Sequence, residues 1–192
     1  MDHYVDITLR PDPEFPAPLL MNALFAKLHR VLASRDAGLA GQVAVSFPRH
    51  AATGRLLHLG DRLRLHGQAT GLTALLAQDW LAGMRDHTQP ATVAAVPATV
   101  QHRIVRRVQA QSSPERLRRR LARRHHLDAT EAALRIPDSA AQTLRLPWVQ
   151  LRSSSTGQSF RLFIEHGPLL PHPIPGTFSP YGLSLGATVP WF

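Results

Sequence analysis

Charge is distributed very unevenly along this chain. Between Gln101 and His126 stand nine arginines and one acid, Glu115, so that window carries +8, while the other 166 residues share only +1 of the total of +9. Side chains of one sign at this density cannot enter a core. The basic residues are also uniform in kind: of 22 Lys and Arg, only Lys27 is a lysine. A guanidinium presents a planar fork of donors that grips phosphate and guanine edges and stacks on bases. A charge so local reads as a binding face for a polyanion.

The rest of the composition removes function classes. The chain has 192 residues, enough for one large domain or two small ones without covalent staples. It has no Cys, which excludes disulfides, thiolate metal sites, iron–sulfur clusters and a cysteine nucleophile. It contains no apolar run of membrane-spanning length, and Met1-Asp-His-Tyr-Val-Asp6 is no secretory leader. The expectation is a soluble cytoplasmic protein that makes no membrane contact.

Up to about residue 99, apolar periodicity alternates between strand and helix. Tyr4–Leu9 alternates as a half-buried strand, and residues 16–32 carry a helical stripe of Leu20, Leu24, Leu28 and Val31. Short strands follow at 43–47 and 63–65, a second helix at 71–82 and a β-rich run at 92–96. The order βαββαβ predicts a ferredoxin-like domain over 1–99, within an α+β protein. The remainder, 100–192, changes character and reads as further α+β structure that carries the basic helix. Arg103–Ala110 is extended. Ser112-Ser-Pro-Glu115 starts a helix that runs to about His126, and Asp128 with Glu131 starts a shorter one that Pro137 ends. Residues 148–152 and 160–165 form strands around a Ser/Thr/Gly tip at 153–159, and a proline-rich irregular loop begins at Pro168.

On the basic helix, Arg116, Arg119, Arg120, Arg123 and Arg124 follow i, i+3, i+4, i+7, i+8 spacing and share one face. The alternative is a merely solvated basic surface. In the extended segment, Arg107 and Gln109 point to the same side, where Arg suits guanine and Gln adenine. Phosphate-binding glycine loops and the His-Glu-x-x-His zinc motif are absent, and acids are scattered. A metal-free route is then the economical one for a nuclease: the RNA 2′-hydroxyl attacks the adjacent phosphate, which requires a base, fixed geometry and nearby cations. Histidine is the usual proton carrier near neutral pH. His29 is one of 11 histidines, and taken alone it reads more readily as a surface or edge-of-core residue. The tip serines read as turn residues and Tyr181 as a packed strand tyrosine.

Several segments taken together resemble one family. They are the opening Met1–Ile7, Phe25-Ala-Lys-Leu-His29, Val45-Ser-Phe-Pro48, Arg107-Val-Gln-Ala110 and Ser113-Pro-Glu-Arg-Leu-Arg-Arg-Arg-Leu121. With them go Leu151-Arg-Ser-Ser-Ser-Thr-Gly-Gln158, Phe160–Ile164, His166-Gly-Pro168, Tyr181-Gly-Leu-Ser184 and Val189-Pro-Trp-Phe192. The chain resembles the type I-F CRISPR-associated endoribonucleases that process precursor CRISPR RNA in antiviral defence. The resemblance implies a hydrolase-class nuclease that needs no metal or cofactor, with a divergent α+β domain over 100–192. It implies binding to the CRISPR repeat hairpin and cleavage at the 3′ base of its stem, leaving a 2′,3′-cyclic phosphate and a 5′-hydroxyl, with the product retained. Partners would be the other subunits of a type I-F surveillance complex. By position, the resemblance makes His29 the base, Ser153 the group that places the 2′-hydroxyl, Ser155 a second serine of lesser role, and Tyr181 the residue that orients the histidine. Arg107 and Gln109 become readers at the foot of the stem, Arg120 and Arg124 groove contacts, and Phe160 a stacking platform. Gln111 stands where the family pattern has a basic residue, and the triplet Ser153-Ser154-Ser155 leaves a one-residue shift open. The alternative of another class is a non-catalytic structured-RNA-binding protein with the same helix.

Overall fold

The computed structural model describes residues 1–34, 38–39, 41–109, 114–137, 144–153 and 157–192. It is a mixed α+β structure with two antiparallel sheets and, among the described residues, four α-helices. The chain divides into two compact units. One comprises Met1–Val108 with Leu146–Phe192, the other Gln109–Arg145.

In the larger unit the first sheet takes β1 (His3–Leu9), β2 (Ala44–Ser46), β3 (Arg62–Gly67) and β4 (Thr88–Pro90) in the order β2-β3-β1-β4, and β5 (Ala94–Ala95) also pairs with β1. Val5, Ile7 and Leu9 alternate inward from β1 and are buried, as the sequence pattern requires. Helix α1 (Ala17–Ala33) opens behind Pro16, with a second proline in its first turn, where a missing N–H costs nothing. It buries Leu20, Met21, Leu24, Phe25, Leu28 and Leu32. Helix α2 (Ala69–Ala77) is shorter than the 71–82 expected. Gln78 turns extended, and a separate 3-10 turn, Asp79–Leu81, buries Trp80. The strand expected at 92–96 shrinks to Ala94–Ala95, which lies along His3–Tyr4, and an unexpected strand, Thr88–Pro90, lies along Ile7–Leu9.

The second sheet orders β6 (Gln101–Val108), β7 (Trp148–Arg152), β8 (Ser159–Leu170) and β9 (Val189–Trp191) as β7-β8-β6-β9. Strand β8 runs on to Leu170, past the point where a proline-rich loop was expected. A bulge explains this. Arg103 pairs with Leu169 and Val105 with His166, so Gly167 and Pro168 together oppose Ile104. A proline is tolerated at such an irregularity, where no ladder N–H is demanded of it.

An ion-paired arginine and a ring stack join the sheets. Buried Arg64 on β3 binds both carboxylate oxygens of Asp6, at 2.7 and 3.0 Å, and donates to the Phe192 carbonyl at 3.0 Å. Its guanidinium lies over the rings of Tyr4 and Phe192. His50, which follows β2, stacks on His166 of β8 with centroids 3.5 Å apart, and Trp191 of β9 meets both rings edge-on.

In the smaller unit, α3 (Pro114–His125) and α4 (Ala129–Arg135) form a helical pair. His126, at φ 53°, ends the first. The expected Asp128/Glu131 capping box starts the second, with Glu131 N–H donating to Asp128 at 2.8 Å and Asp128 N–H to Glu131 at 3.2 Å. Arg118 Nε donates to the Ile136 carbonyl at 2.8 Å and ties the two helices together. The serines expected to cap α3 lie outside the described residues. Among the described residues, no helix is long and apolar enough to cross a membrane.

Candidate active site and nucleic-acid interface

Asn22, Ala26, His29 and Ala33 recur at helical spacing and form a stripe of α1 beside its buried face. Three of them line a cleft of about 840 Å³ together with Arg30, Ser34, Leu151, Arg152, Ser153, Gly157, Phe160 and Tyr181. The fourth, Asn22, sets the wall opposite. Its side-chain oxygen accepts the backbone N–H of Gln150 on β7 at 2.8 Å. The helix that carries His29 is thereby fixed to the strand that leads into Ser153.

His29 is held from two sides. Its Nδ1 lies 3.1 Å from the Pro180 carbonyl, and its ring stacks on Tyr181 with centroids 3.8 Å apart and planes 14° from parallel. A carbonyl only accepts, so Nδ1 must carry the proton. In the neutral ring, Nε2 is then the free base. The clamp has a local cause. Ser179-Pro180-Tyr181-Gly182 is a turn closed by Gly182 N–H to Ser179 O at 2.8 Å, with Pro and Gly at the positions that such turns favour. Gly182 sits at φ +70°, and a Cβ there would lie 2.7 Å from Val45 Cγ1. Its carbonyl accepts from Val45 N–H at 2.9 Å, so the Tyr181 turn rests directly on β2.

Arg107, on β6, places its guanidinium 5.7 Å from the Tyr181 ring centroid and 5.9 Å from that of Phe160. His29, Ser153, Tyr181, Phe160 and Arg107 are thus brought together from five parts of the larger unit. Gln109 lies just past β6, which ends at Val108, and is an exposed residue of the smaller unit. Ser155 lies outside the described residues, as do Gln111 and the side chain of Arg116. On α3, Arg119, Arg120, Arg123 and Arg124 are all exposed and line a shallow concavity of about 730 Å³. Leu117 and Leu121, beside that arginine stripe, are half-buried.

Sequence reasoning missed Asn22, Arg152 and the Pro180 carbonyl. The Pro and Gly flanking Tyr181 are turn signals, but the contact of this turn with His29 spans 151 residues. Among the described residues, no group of three or more His, Cys, Asp or Glu could hold a metal ion.

The larger unit therefore offers a cleft with a held histidine ring, and the smaller unit an arginine-lined helix whose charge suits a polyanion. The comparisons with known proteins narrow that class. The chain belongs to the family described as CRISPR-associated protein (Cas_Csy4), which it matches over residues 4–192. It is 55% identical over 192 residues, the whole of both chains, to a protein of Pseudomonas aeruginosa (strain UCBPP-PA14). It is 46% identical, again over the whole of both, to one of Escherichia coli (strain UTI89 / UPEC). Both relatives bear the name CRISPR-associated endonuclease Cas6/Csy4.

Proposed function

We propose that this protein is a metal-independent endoribonuclease that binds the CRISPR repeat hairpin and cuts at the 3′ base of its stem. The clamped His29 ring carries the reading. With Nδ1–H given to Pro180 and the ring face covered by Tyr181, Nε2 is the nitrogen left to take the proton of the attacking 2′-hydroxyl. The 2′-oxygen bonds to the adjacent phosphorus and the bond to the 5′-oxygen breaks. The departing oxygen takes up a proton, leaving a 2′,3′-cyclic phosphate upstream and a 5′-hydroxyl downstream. Ser153 places the 2′-hydroxyl, with Ser155 as a second serine. Tyr181 orients the base, and Phe160 stacks on the last base pair of the stem.

Binding is divided among other groups. Arg107 and Gln109 read bases at the stem foot. The α3 face of Arg116, Arg119, Arg120, Arg123 and Arg124 holds the RNA, with Arg120 and Arg124 in the groove. Affinity of this kind favours retention of the product and its delivery, in the cytoplasm, to the other subunits of a type I-F surveillance complex. On this reading residues 1–99 are a ferredoxin-like domain and 100–192 the RNA-binding domain. The order βαββαβ and the strand order β2-β3-β1-β4 support the first of these.

The test is cleavage of a repeat hairpin in excess chelator by wild type and by His29→Ala. Wild type cuts, and the variant binds with unchanged affinity but loses at least the ~10² to 10⁴-fold that a general base contributes. Strict dependence on added Mg²⁺, or cutting by His29→Ala at the wild-type rate, overturns the reading.

A further inference from the structure

Attack of the 2′-oxygen turns a phosphodiester with one negative charge into a five-coordinate phosphorane that approaches two. Stabilising that gain is usually the largest catalytic term and calls for donors fixed in place beforehand. The roles assigned so far supply a base and positioning groups but no cation at the phosphate. The cleft contains two that have no task yet: Arg30 and Arg152 are its permanently charged side chains, and no carboxylate is among its described lining residues.

Arg152 is the better held of the two. It is the last residue of β7, immediately before Ser153, and it is exposed while Val149 and Leu151 of the same strand are buried. Its Nε donates to the Gly157 carbonyl at 2.9 Å. The tip that carries Gly157 is itself closed by Ser153 N–H to Gln158 O and Gly157 N–H to Ser153 O, both at 2.9 Å. Gly157 sits at φ +68°, and a Cβ there would lie 3.6 Å from Arg152 Nη2. The guanidinium therefore rests against a glycine. Its plane is set through Nε, and the Nη groups remain as the donors suited to an anion. Arg30 bonds only back to its own helix, to the Ala26 carbonyl at 3.3 Å.

We propose that Arg152 is a further catalytic residue of this cleft, its Nη donors binding the nonbridging oxygens of the scissile phosphate as charge builds on them. The inference rests on the endoribonuclease reading above and adds the group that reading lacks.

The experiment is single-turnover cleavage of the repeat hairpin at saturating protein, with affinity measured separately on a hairpin that has a 2′-deoxy nucleotide at the cut. Wild type, Arg152→Ala, Arg152→Lys, Arg30→Ala and His29→Ala are compared, with and without added guanidinium ion. Arg152→Ala slows cleavage by about 10² to 10³-fold, the usual cost of one such donor, binds the uncleavable hairpin as wild type does, and regains rate in guanidinium. Arg152→Lys, which keeps the charge but not the fork, falls between. Arg30→Ala, which removes the same charge, loses less. Recovery in guanidinium separates a lost cation from a damaged fold, since free guanidinium at low concentration does not refold a protein. Wild-type cleavage by Arg152→Ala, or a slow rate that guanidinium leaves unchanged, overturns the proposal. If His29→Ala is inactive while Arg152→Ala cuts normally, the proposal alone fails. If His29→Ala also cuts normally, the endoribonuclease reading fails with it.

Discussion

Asn22 shows how a single side chain sets the geometry of the cleft. It is a half-buried residue of α1, and its hydrogen bond to the Gln150 N–H closes the distance between the helix of His29 and the strand of Ser153. On the proposed mechanism, Asn22→Leu keeps the size but removes the acceptor, and it lowers the single-turnover rate by up to about 10²-fold, the cost of displacing reacting groups by about 1 Å. Asn22→Asp keeps an acceptor oxygen and retains most of the rate. Hairpin affinity moves in neither. Equal loss in both variants would point to a general packing defect instead. Gly182 is the second such residue. Gly182→Ala forces a Cβ into Val45 Cγ1 at a positive φ, so it should lower both the melting temperature and the rate by shifting Tyr181. Neither role could be read from the sequence, because each partner lies on an element that is distant in the chain. His29 itself was legible only through the family resemblance, since nothing in its helical position separates it from an edge-of-core histidine.

At the scale of elements, local pattern was sufficient wherever the determinants were local. The alternating β1, the apolar stripe of α1, the Asp128/Glu131 capping box and the β7–β8 hairpin all appear as the residues dictate. The extension of β8 was hidden, because Pro168 forbids a regular ladder and only the pairing with β6 reveals the bulge. The shortening of α2 was hidden too, since Trp80 is buried whether a helix or a 3-10 turn delivers it. The α3 face bears its own prediction. If Arg120 and Arg124 meet phosphates, replacing both by Ala weakens binding to all hairpins alike. It also flattens the log–log salt slope by roughly 0.7 to 0.9 for each phosphate no longer neutralised. Arg107→Ala, beside Phe160 and Tyr181, should instead narrow the preference for the correct base pair at the stem foot, a discrimination worth about 1–3 kcal/mol. Titrations of cognate and foot-swapped hairpins at several salt concentrations separate the two effects. A slope unchanged in the Arg120/Arg124 variant would remove those arginines from phosphate binding.

For the whole molecule, the buried histidines set a lower pH limit on stability. Burial, helped by the neighbouring Arg64, pushes His66 down to about 3, and its ring bonds Ser46 at 2.8 Å. Burial, with His50 and Arg103 beside it, pushes His166 down to about 2. Unfolded, both titrate near the ordinary ~6.5. Below that value the unfolded chain takes up protons that the folded one refuses, so stability is full above about pH 6.5 and falls steadily as pH drops toward the folded values. For the pair the loss comes to roughly 4 kcal/mol between pH 7 and 5, a large share of a typical domain's ~5–15 kcal/mol. Denaturant titrations at the two pH values check this, and equal stabilities would contradict it.

The central claim is that the RNA supplies its own nucleophile and His29 takes its proton. One substitution in the substrate tests this most directly: a single 2′-deoxy nucleotide immediately upstream of the scissile phosphate in the repeat hairpin. The wild-type protein is expected to bind this hairpin as tightly as the all-ribose one and to leave it uncut, while a deoxy substitution one nucleotide away leaves the position of cleavage unchanged. Cleavage of the deoxy-substituted bond at the all-ribose rate would contradict the claim, because the attacking group would then have to be water.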